Sequence, residues 1–337
     1  MKKCWCGNTD FEDYSDNYYK CPRCKTLVSK LDINYDENNI HDNGEDFYGK
    51  AYWQEKMLQA AGCNSLDEVV DLYLEGRAVY WLKNFLRYRL PFDGKVAEVG
   101  CGLGQFSYYL KQLGFAQTAF ELSPEICQYI QENMRIDIKC GGLSGEENEY
   151  SAIAAFDVLE HLIEPIEFLL LANKLLKDDG ILFFQTPCYD ATLNYDEMRV
   201  QKGKFQQQLL EKEHVYLYSK DSVTNILHKC GFHYIEFMDA YFGNDYDMFF
   251  VASRSKINVN EYAKIRSVVK QQDNGQLICT LMNLWDKLKF CNQDREDRLQ
   301  QIVKLTSMYK DIEQIATDRA CQIEKLTDII HDMQRKK

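Results

Sequence analysis

Nine residues, Val96-Ala97-Glu98-Val99-Gly100-Cys101-Gly102-Leu103-Gly104, constrain what this chain can fold into more than any other stretch. An apolar run that meets glycines at alternate positions reads as a buried strand breaking into a tight turn, with a helix after it. Each glycine removes a Cβ where the backbone must turn sharply and approach a ligand, which puts the turn at the carboxyl edge of a parallel sheet. The nucleoside half of a cofactor binds at such an edge. The glycines alone do not choose that cofactor, since they can be purely structural and nicotinamide-binding folds use a similar turn.

Three further signals bear on the choice. Gln105 stands where the nicotinamide pattern calls for another glycine, and the pyrophosphate that glycine admits has no counterpart in S-adenosylmethionine. The spacing therefore favours the methyl donor. Thr118-Ala119-Phe120-Glu121-Leu122-Ser123-Pro124-Glu125 reads as a second strand ending in an acid, with Pro124 opening the next helix. Glu121 is placed to take both ribose hydroxyls, although an acid there suits a dinucleotide ribose equally. Ala154-Ala155-Phe156-Asp157-Val158-Leu159-Glu160-His161-Leu162, followed by Glu164-Pro165, is a fourth strand breaking into a titratable loop, where an acceptor would meet the methyl group.

A chain of 337 residues can bury one sizeable core with an appendage or two. Its net charge of −12 argues against non-specific binding to nucleic acid or to an anionic membrane. No apolar run approaches the roughly 18 residues needed to span a bilayer, and the start lacks a secretion h-region, so a cytoplasmic location is expected. Thirteen cysteines is an odd count, scattered singly beyond the first four, which fits reduced thiols. Those four, Cys4-x-Cys6 and Cys21-x-x-Cys24, have zinc-ribbon spacing over residues 1–30, a segment too small for its own apolar core. Structural zinc on four thiolates is the expected reading, with a redox dithiol pair or plain free thiols as the alternatives.

Residues 31–47 are polar, a linker, and Phe47-Tyr48-Gly49-Lys50-Ala51-Tyr52-Trp53 begins an aromatic helical region that continues to residue 86. Together, residues 31–90 read as linker and core-packing or lid helices. Strands and helices then alternate, with strands expected near 95–99, 117–121, 136–140, 152–158, 180–186, 232–237 and 247–253. After Arg254 comes a long helical tail without proline. Ile302, Tyr309, Ala316, Ile323 and Ile330 repeat every seven residues, and Leu305, Ile312, Arg319, Leu326 and Met333 complete a coiled-coil seam. Upstream, Arg295 and Arg298 break the register, where a bend or fold-back is expected.

On these residues the chain resembles the class I S-adenosylmethionine-dependent methyltransferases. The broad likeness covers residues 94–253 and rests on Glu98-x-Gly100-x-Gly102-x-Gly104, Glu121, Asp157-Val158-Leu159-Glu160-His161 and Gln185-Thr186-Pro187 falling in order. More narrowly, the chain is similar to zinc-ribbon-bearing members that occur with bacterial surface-polysaccharide and sugar biosynthesis, through the cysteine ribbon, Tyr52-Trp53, Glu213-His214-Val215-Tyr216-Leu217-Tyr218-Ser219 and Tyr246-Asp247-Met248-Phe249-Phe250. The resemblance implies an α/β, Rossmann-like sheet of seven strands in the order 3-2-1-4-5-7-6, with strand 7 antiparallel, in a domain over 91–255. A helical tail over 256–337 would follow, its coiled coil spanning about 299–335. Also implied is a cofactor site in which Gly100, Gly102 and Gly104, with Glu98 in the same motif, pass under the methionine and adenosine. Glu121, with Leu122 beside it, would hold the ribose, Gly142 and Leu143 would face the adenine, and Asp157 would lie beside the methionine.

Methyl transfer from a sulfonium is an in-line displacement, so alignment of the acceptor in a dry pocket supplies most of the acceleration. A hydroxyl acceptor also needs its proton removed, and His214 is the expected base, with Glu213 or Glu160 to orient it and a structural hydrogen bond as its alternative. His161 is the second candidate, with helix-start packing as its alternative. Asp157, Glu160, Glu213 and Asp247 are too dispersed in sequence to establish a metal, and the active site is expected to be metal-free. The sugar C-methyltransferases carry a large second α/β domain after the core, whereas about 80 helical residues follow here, which moves the expectation to O-methylation of a sugar, glycolipid or glycan hydroxyl. Remaining alternatives are C-methylation of a nucleotide sugar, methylation of RNA or protein, and a non-catalytic scaffold. The coiled coil would serve self-association or recruit a glycan-assembly enzyme.

Overall fold

The computed structural model describes residues 2–33, 52–147, 149–200, 204–240 and 246–336. Most of the expected linker, and the start of the aromatic segment at 47–51, lie outside them. The chain divides into two compact units, Met1–Met282 and Asn283–Lys337.

The first unit is built on a mixed sheet of seven strands: β4 (Lys95–Val99), β5 (Gln117–Glu121), β6 (Ile138–Cys140), β7 (Tyr150–Phe156), β8 (Leu176–Pro187), β10 (Tyr234–Met238) and β11 (Asp247–Ser253). They lie in the order β10-β11-β8-β7-β4-β5-β6. Counted from β4 as the first, this is the 3-2-1-4-5-7-6 order read from the opposite edge. The pairs β4–β5, β4–β7, β5–β6 and β7–β8 are parallel, while β11 runs antiparallel to both β8 and β10. All seven residues of β7 are buried, as expected of a central strand covered on both faces. Around it Phe85, Phe106, Phe156, Phe183 and Phe249 meet largely edge to face, at centroid separations of 4.7 to 6.3 Å. β7 ends earlier than expected because the next residue, Asp157, takes a left-handed φ of 56° that stops the strand.

Between the strands run α4 (Gln105–Gln112), α5 (Pro124–Asn133), α6 (Pro165–Leu175) and α8 (Lys220–Lys229). Ser123 caps α5 before a proline at its first turn, and Ser219 with Ser222 forms a reciprocal cap on α8. Before the sheet, a π-helical turn (Tyr52–Met57) leads into α1 (Leu58–Ala61), α2 (Leu66–Glu75) and α3 (Arg77–Phe85). Their aromatic residues are core: Trp53, Tyr80, Trp81 and Phe85 are all buried.

The cysteine segment forms three short strands, β1 (Glu12–Asp13), β2 (Tyr18–Lys20) and β3 (Leu27–Ser29), and a fourth, β9 (Tyr216–Leu217), completes their sheet from nearly 190 residues downstream. The register is Leu27↔Leu217 and Val28↔Tyr216, antiparallel. Cys4, Cys21 and Cys24 are buried in one apolar cluster with Val215, Tyr216 and Tyr218. A ribbon with too little apolar surface for a core of its own thus shares that of the large sheet.

In the tail, α9 (Tyr262–Val269) precedes α10 (Gly275–Arg335), whose residues from Asn283 on belong to the second unit and which runs unbroken at Arg295 and Arg298, where a bend was expected. Arginine is a good helix former, and Arg298 pairs with Asp294 one turn back at 2.8 Å. Within that unit Ile302, Leu305, Tyr309, Ile312, Ile323, Leu326, Ile330 and Met333 are each more than half exposed. No helix among the described residues is long and apolar enough to cross a membrane.

Candidate cofactor and catalytic site

Gly100, Gly102 and Gly104 all have positive φ, between 53° and 80°. The backbone therefore requires glycine at each, and space requires it as well. A Cβ at Gly100 would lie 2.7 Å from Val158, one at Gly104 2.7 Å from Ile136, and one at Gly102 3.3 Å from the Trp53 indole. The last contact lays the π-helical turn against the glycine loop. Glu98 does not face the cleft. Its buried carboxyl accepts from the Ser107 N–H at 3.0 Å and from the Ser107 hydroxyl at 2.6 Å, pinning α4 to β4. Burial pushes that carboxyl up to about 8, against the pull of those two bonds.

Glu121 ends the neighbouring strand and ties it to the glycine loop. It accepts from the N–H groups of Gly102 at 3.0 Å, Leu122 at 2.9 Å and Ser123 at 3.0 Å. Burial raises its carboxyl, and the three donors hold it down. Leu122 is nearly half exposed beside it. Gly142 has open space where a Cβ would stand, Leu143 is buried, and Gly141 donates to the Glu121 carbonyl at 2.8 Å. The expected cofactor residues from β4, β5 and β6 thus gather along one sheet edge, with Glu98 supporting from beneath.

At the end of β7, Asp157 is held on both oxygens. One pairs with Arg77 at 2.5 Å, and the other accepts from Gln185 at 2.9 Å. Gln185 in turn accepts from the Trp81 indole N–H at 3.0 Å, and Trp81 stacks on Phe156 at 3.9 Å. The guanidinium of Arg77 lies over Trp81 and Tyr73. Arg77 and Trp81 escaped the sequence reading. The available signal was an arginine in the first turn of a helix, the wrong end for the helix dipole, spaced four residues from Tyr73 and Trp81.

Beyond Asp157, a short 3-10 turn (Leu159–His161) brings His161 beside His214, with ring centroids 4.8 Å apart. Each imidazole meets a main-chain carbonyl through Nδ1: His161 that of Glu213 at 2.8 Å, and His214 that of Gln208 at 2.7 Å. A carbonyl only accepts, so both Nδ1 atoms carry the proton and both neutral rings keep their lone pair on Nε2. Burial pulls His161 down to about 3, helped by His214, and lowers His214 in the same way. Both rings are neutral at physiological pH. Glu213 orients His161 through its carbonyl, while its carboxylate turns to Lys56 in the π-helical turn. Glu160 is buried. One oxygen accepts from the Thr186 hydroxyl at 2.9 Å, and burial, with Asp157 nearby, pushes its carboxyl well above the usual range.

The cysteine ribbon holds the stretch around His214. Tyr18 donates its hydroxyl to the His214 carbonyl at 2.9 Å, Ser29 donates N–H to Val215 at 3.0 Å and its hydroxyl to Glu211 at 2.7 Å, and Asn17 reaches the Glu211 carboxylate at 3.0 Å. One Sγ from each of Cys4, Cys6, Cys21 and Cys24 lies within 4.8 Å of the others, with Cys4 and Cys24 3.5 Å apart and Cys6 and Cys21 3.6 Å apart. All thirteen cysteines are free thiols.

A family model described as a methyltransferase domain matches residues 73–236, which include the glycine loop, Glu121, Asp157 and the histidine pair. Residues 73–236 thus make up a methyltransferase domain, on just under half of the chain. Among curated proteins, the chain is similar to the ubiquinone biosynthesis O-methyltransferase of Caulobacter vibrioides, 32% identical over 108 residues that make up 29% of this chain and 43% of that one. It is likewise similar to the enzyme of that name from Xanthomonas campestris pv. campestris, 29% identical over 109 residues, or 30% of this chain and 45% of the relative. The chain thus spans under half the length of the curated relatives it matches. Among solved structures it is similar to the magnesium protoporphyrin IX methyltransferase of Synechocystis PCC 6803, with 18% identity, 60% of this chain and 97% of that one covered, and a TM-score of 0.42.

Proposed function

We propose that this methyltransferase moves a methyl group from S-adenosylmethionine to a hydroxyl oxygen of a sugar, glycolipid or glycan. The observation that carries the reading is the neutral His161–His214 pair, anchored through both Nδ1 atoms, one short turn from Asp157 and the glycine loop. The donor set fits the methyl donor: three left-handed glycines that no side chain can replace, a buried acid ending β5, and an aromatic lid residue against the loop. In this reading Gly100, Gly102 and Gly104 carry the methionine and adenosine, Glu121 and Leu122 the ribose, and Gly142 and Leu143 the adenine. Arg77 and Asp157 together flank the methionine. Bound S-adenosylmethionine supplies an electrophilic methyl group on a sulfonium.

The chain's own part is to align and to deprotonate. His214, neutral and with its lone pair on Nε2, takes the acceptor's proton, and His161 holds it in place. The O-methyltransferase names of the curated relatives support oxygen as the accepting atom. A sugar as its carrier is supported by the likeness to zinc-ribbon methyltransferases of surface-polysaccharide synthesis. The four thiolates suit a structural zinc ion, which prefers four sulfur ligands in a tetrahedral, closed site. Exposed heptad positions on α10 suit pairing with a second copy.

Transfer of labelled methyl from S-adenosylmethionine into cell fractions separated as nucleotide sugars, lipid-linked glycans, RNA and protein tests the reading. Label in a sugar fraction is expected, and His214→Ala should remove it by a factor of about 10² to 10⁴ while cofactor binding persists. Label confined to RNA or protein overturns the acceptor assignment.

A further inference from the structure

Two thiols meet behind the acid that ends β5. Cys127, in the first turn of α5, is buried and donates its Sγ–H to the Glu121 carbonyl at 3.3 Å. Cys140 closes β6, where it pairs across to Glu121, and is exposed; its thiol points at the Leu122 carbonyl, 3.8 Å away. The next residue, Gly141, donates its N–H to the same Glu121 carbonyl at 2.8 Å. One carbonyl thus gathers the Cys127 thiol and the peptide that follows Cys140. Burial pushes the Cys127 thiol up, and the Cys140 thiol beside it adds to this.

The surroundings let the pair close. Nothing lies within 4 Å of where a Cβ would stand at Gly141, Gly142 or Gly145. The turn that leaves β6 is therefore unhindered and can follow Cys140 inward. We propose that Cys127 and Cys140 form a modification site, which a small disulfide of the glutathione disulfide class oxidises to an intramolecular disulfide that weakens the cofactor edge.

Exposure decides which sulfur reacts first. Cys140 gives its proton to solvent, and its thiolate attacks one sulfur of the small disulfide, forming a mixed disulfide and expelling one thiolate. Cys127 then loses its proton and attacks the Cys140 sulfur, expelling the second thiolate. Two protein thiols are oxidised, one small disulfide is reduced to two thiols, and the two protons lost by the protein end on them. The second step is the slow one, because few buried Cys127 thiols ionise near neutral pH. The bond removes both S–H donors from the 121 and 122 carbonyls and draws the start of the 141–145 turn toward α5. In the cofactor reading Glu121 and Leu122 hold the ribose, and Gly142 and Leu143 face the adenine. The effect on affinity rests on that reading, whereas the disulfide does not.

The test incubates the full-length protein with glutathione disulfide, blocks the remaining thiols by alkylation, and reads tryptic peptides by mass and S-adenosylmethionine binding by calorimetry. Trypsin cuts after Arg135 and Lys139, so only a disulfide keeps the two cysteines in one species. That species is expected in the wild type, with affinity weakened roughly tenfold or more, the effect of about one hydrogen bond, and restored by dithiothreitol. Cys140→Ser, given the same treatment, should keep the affinity of the reduced protein, and so should Cys127→Ser, whose hydroxyl still reaches the Glu121 carbonyl. A wild type in which Cys140 is modified but never joined to Cys127 overturns the proposal, and needs no variant to fold. Equal loss of affinity in treated Cys140→Ser overturns it as well, since other cysteines would then carry the effect. A disulfide formed at unchanged affinity removes the link to the cofactor edge. If the reduced wild type binds no S-adenosylmethionine, the cofactor reading falls and the effect on affinity with it, while the disulfide stands or falls by mass.

Discussion

Glu98 sits in the glycine motif yet holds the fold, and its titration reports this directly. Burial pushes the carboxyl up to about 8, whereas in an unfolded chain a glutamate titrates near 4.3. A folded-state value above the unfolded one gives stability that is complete at low pH and is lost as pH rises. Between about pH 4 and pH 8 the unfolded chain sheds this proton while the folded chain keeps it, so each unit removes about 1.4 kcal/mol. From pH 5 to pH 7 the loss is therefore about 3 kcal/mol, and it levels off above pH 8. Glu98→Gln removes the titration while leaving an oxygen to accept from Ser107, so the variant gains on the wild type by that amount over this interval. Urea unfolding of both proteins followed by circular dichroism at pH 5, 6, 7 and 8 measures it, and the difference between them cancels the other titrating groups. A difference that does not change with pH would falsify the account, since Glu98 would then ionise like an exposed glutamate.

Gly104→Ala places a methyl group 2.7 Å from Ile136 at a φ of 80°, and should cost about 1 to 3 kcal/mol or more in thermal or urea unfolding; an unchanged midpoint would show that the loop relaxes. Glu121→Ala should weaken S-adenosylmethionine, read by calorimetry, by about 1.5 to 3 kcal/mol per charged hydrogen bond lost, and equal affinity would mean that the ribose is held elsewhere. On the proposed zinc reading, Cys21→Ser should lose the ribbon's metal and expose the 208–217 stretch to amide exchange, while protection of β4 and β7 stays intact. Protection unchanged throughout would sever the ribbon from His214.

The large sheet was legible because its strands are short apolar runs bounded by turn residues, and because a left-handed glycine loop is spelled by glycines. The order of the site residues followed from the fold. What escaped was whatever depends on contact between distant segments. Arg77 and Trp81 lie some 80 and 104 residues from Asp157 and Gln185, and the local signal at Arg77 does not say which distant groups it meets. Glu213 was expected to act through its carboxylate, yet its carbonyl meets His161, a choice made by backbone geometry. Glu98 stands where a ligand contact is expected, and the inward face of β4 with the start of α4 turned it into a support. The break expected at Arg295 and Arg298 concerns partner choice and not the helix itself, because charged a and d positions leave the i to i−4 bonds of α10 intact.

The cysteine ribbon gains its meaning from β9. Its two strand pairs with β3 and the bonds from Tyr18, Asn17 and Ser29 to residues 211–215 fasten the stretch that carries His214 to a segment near the start of the chain. Each bond contributes roughly 0.5 to 1.5 kcal/mol, enough in sum to outweigh the entropy of a short loop. Without them, the hydrogen bonds that set His214 would come from Gln208 and Leu210, inside the loop itself. A histidine displaced by an ångström costs far more in rate than in stability, because alignment is most of what a methyltransferase supplies. On the proposed zinc reading, an ion held by cysteines more than 180 residues away in sequence governs the geometry at the acceptor end while leaving the edge built from β4, β5 and β6 to hold its own shape. Loss of zinc should separate the two functions, and a chain that binds cofactor yet turns nothing over is the expected phenotype.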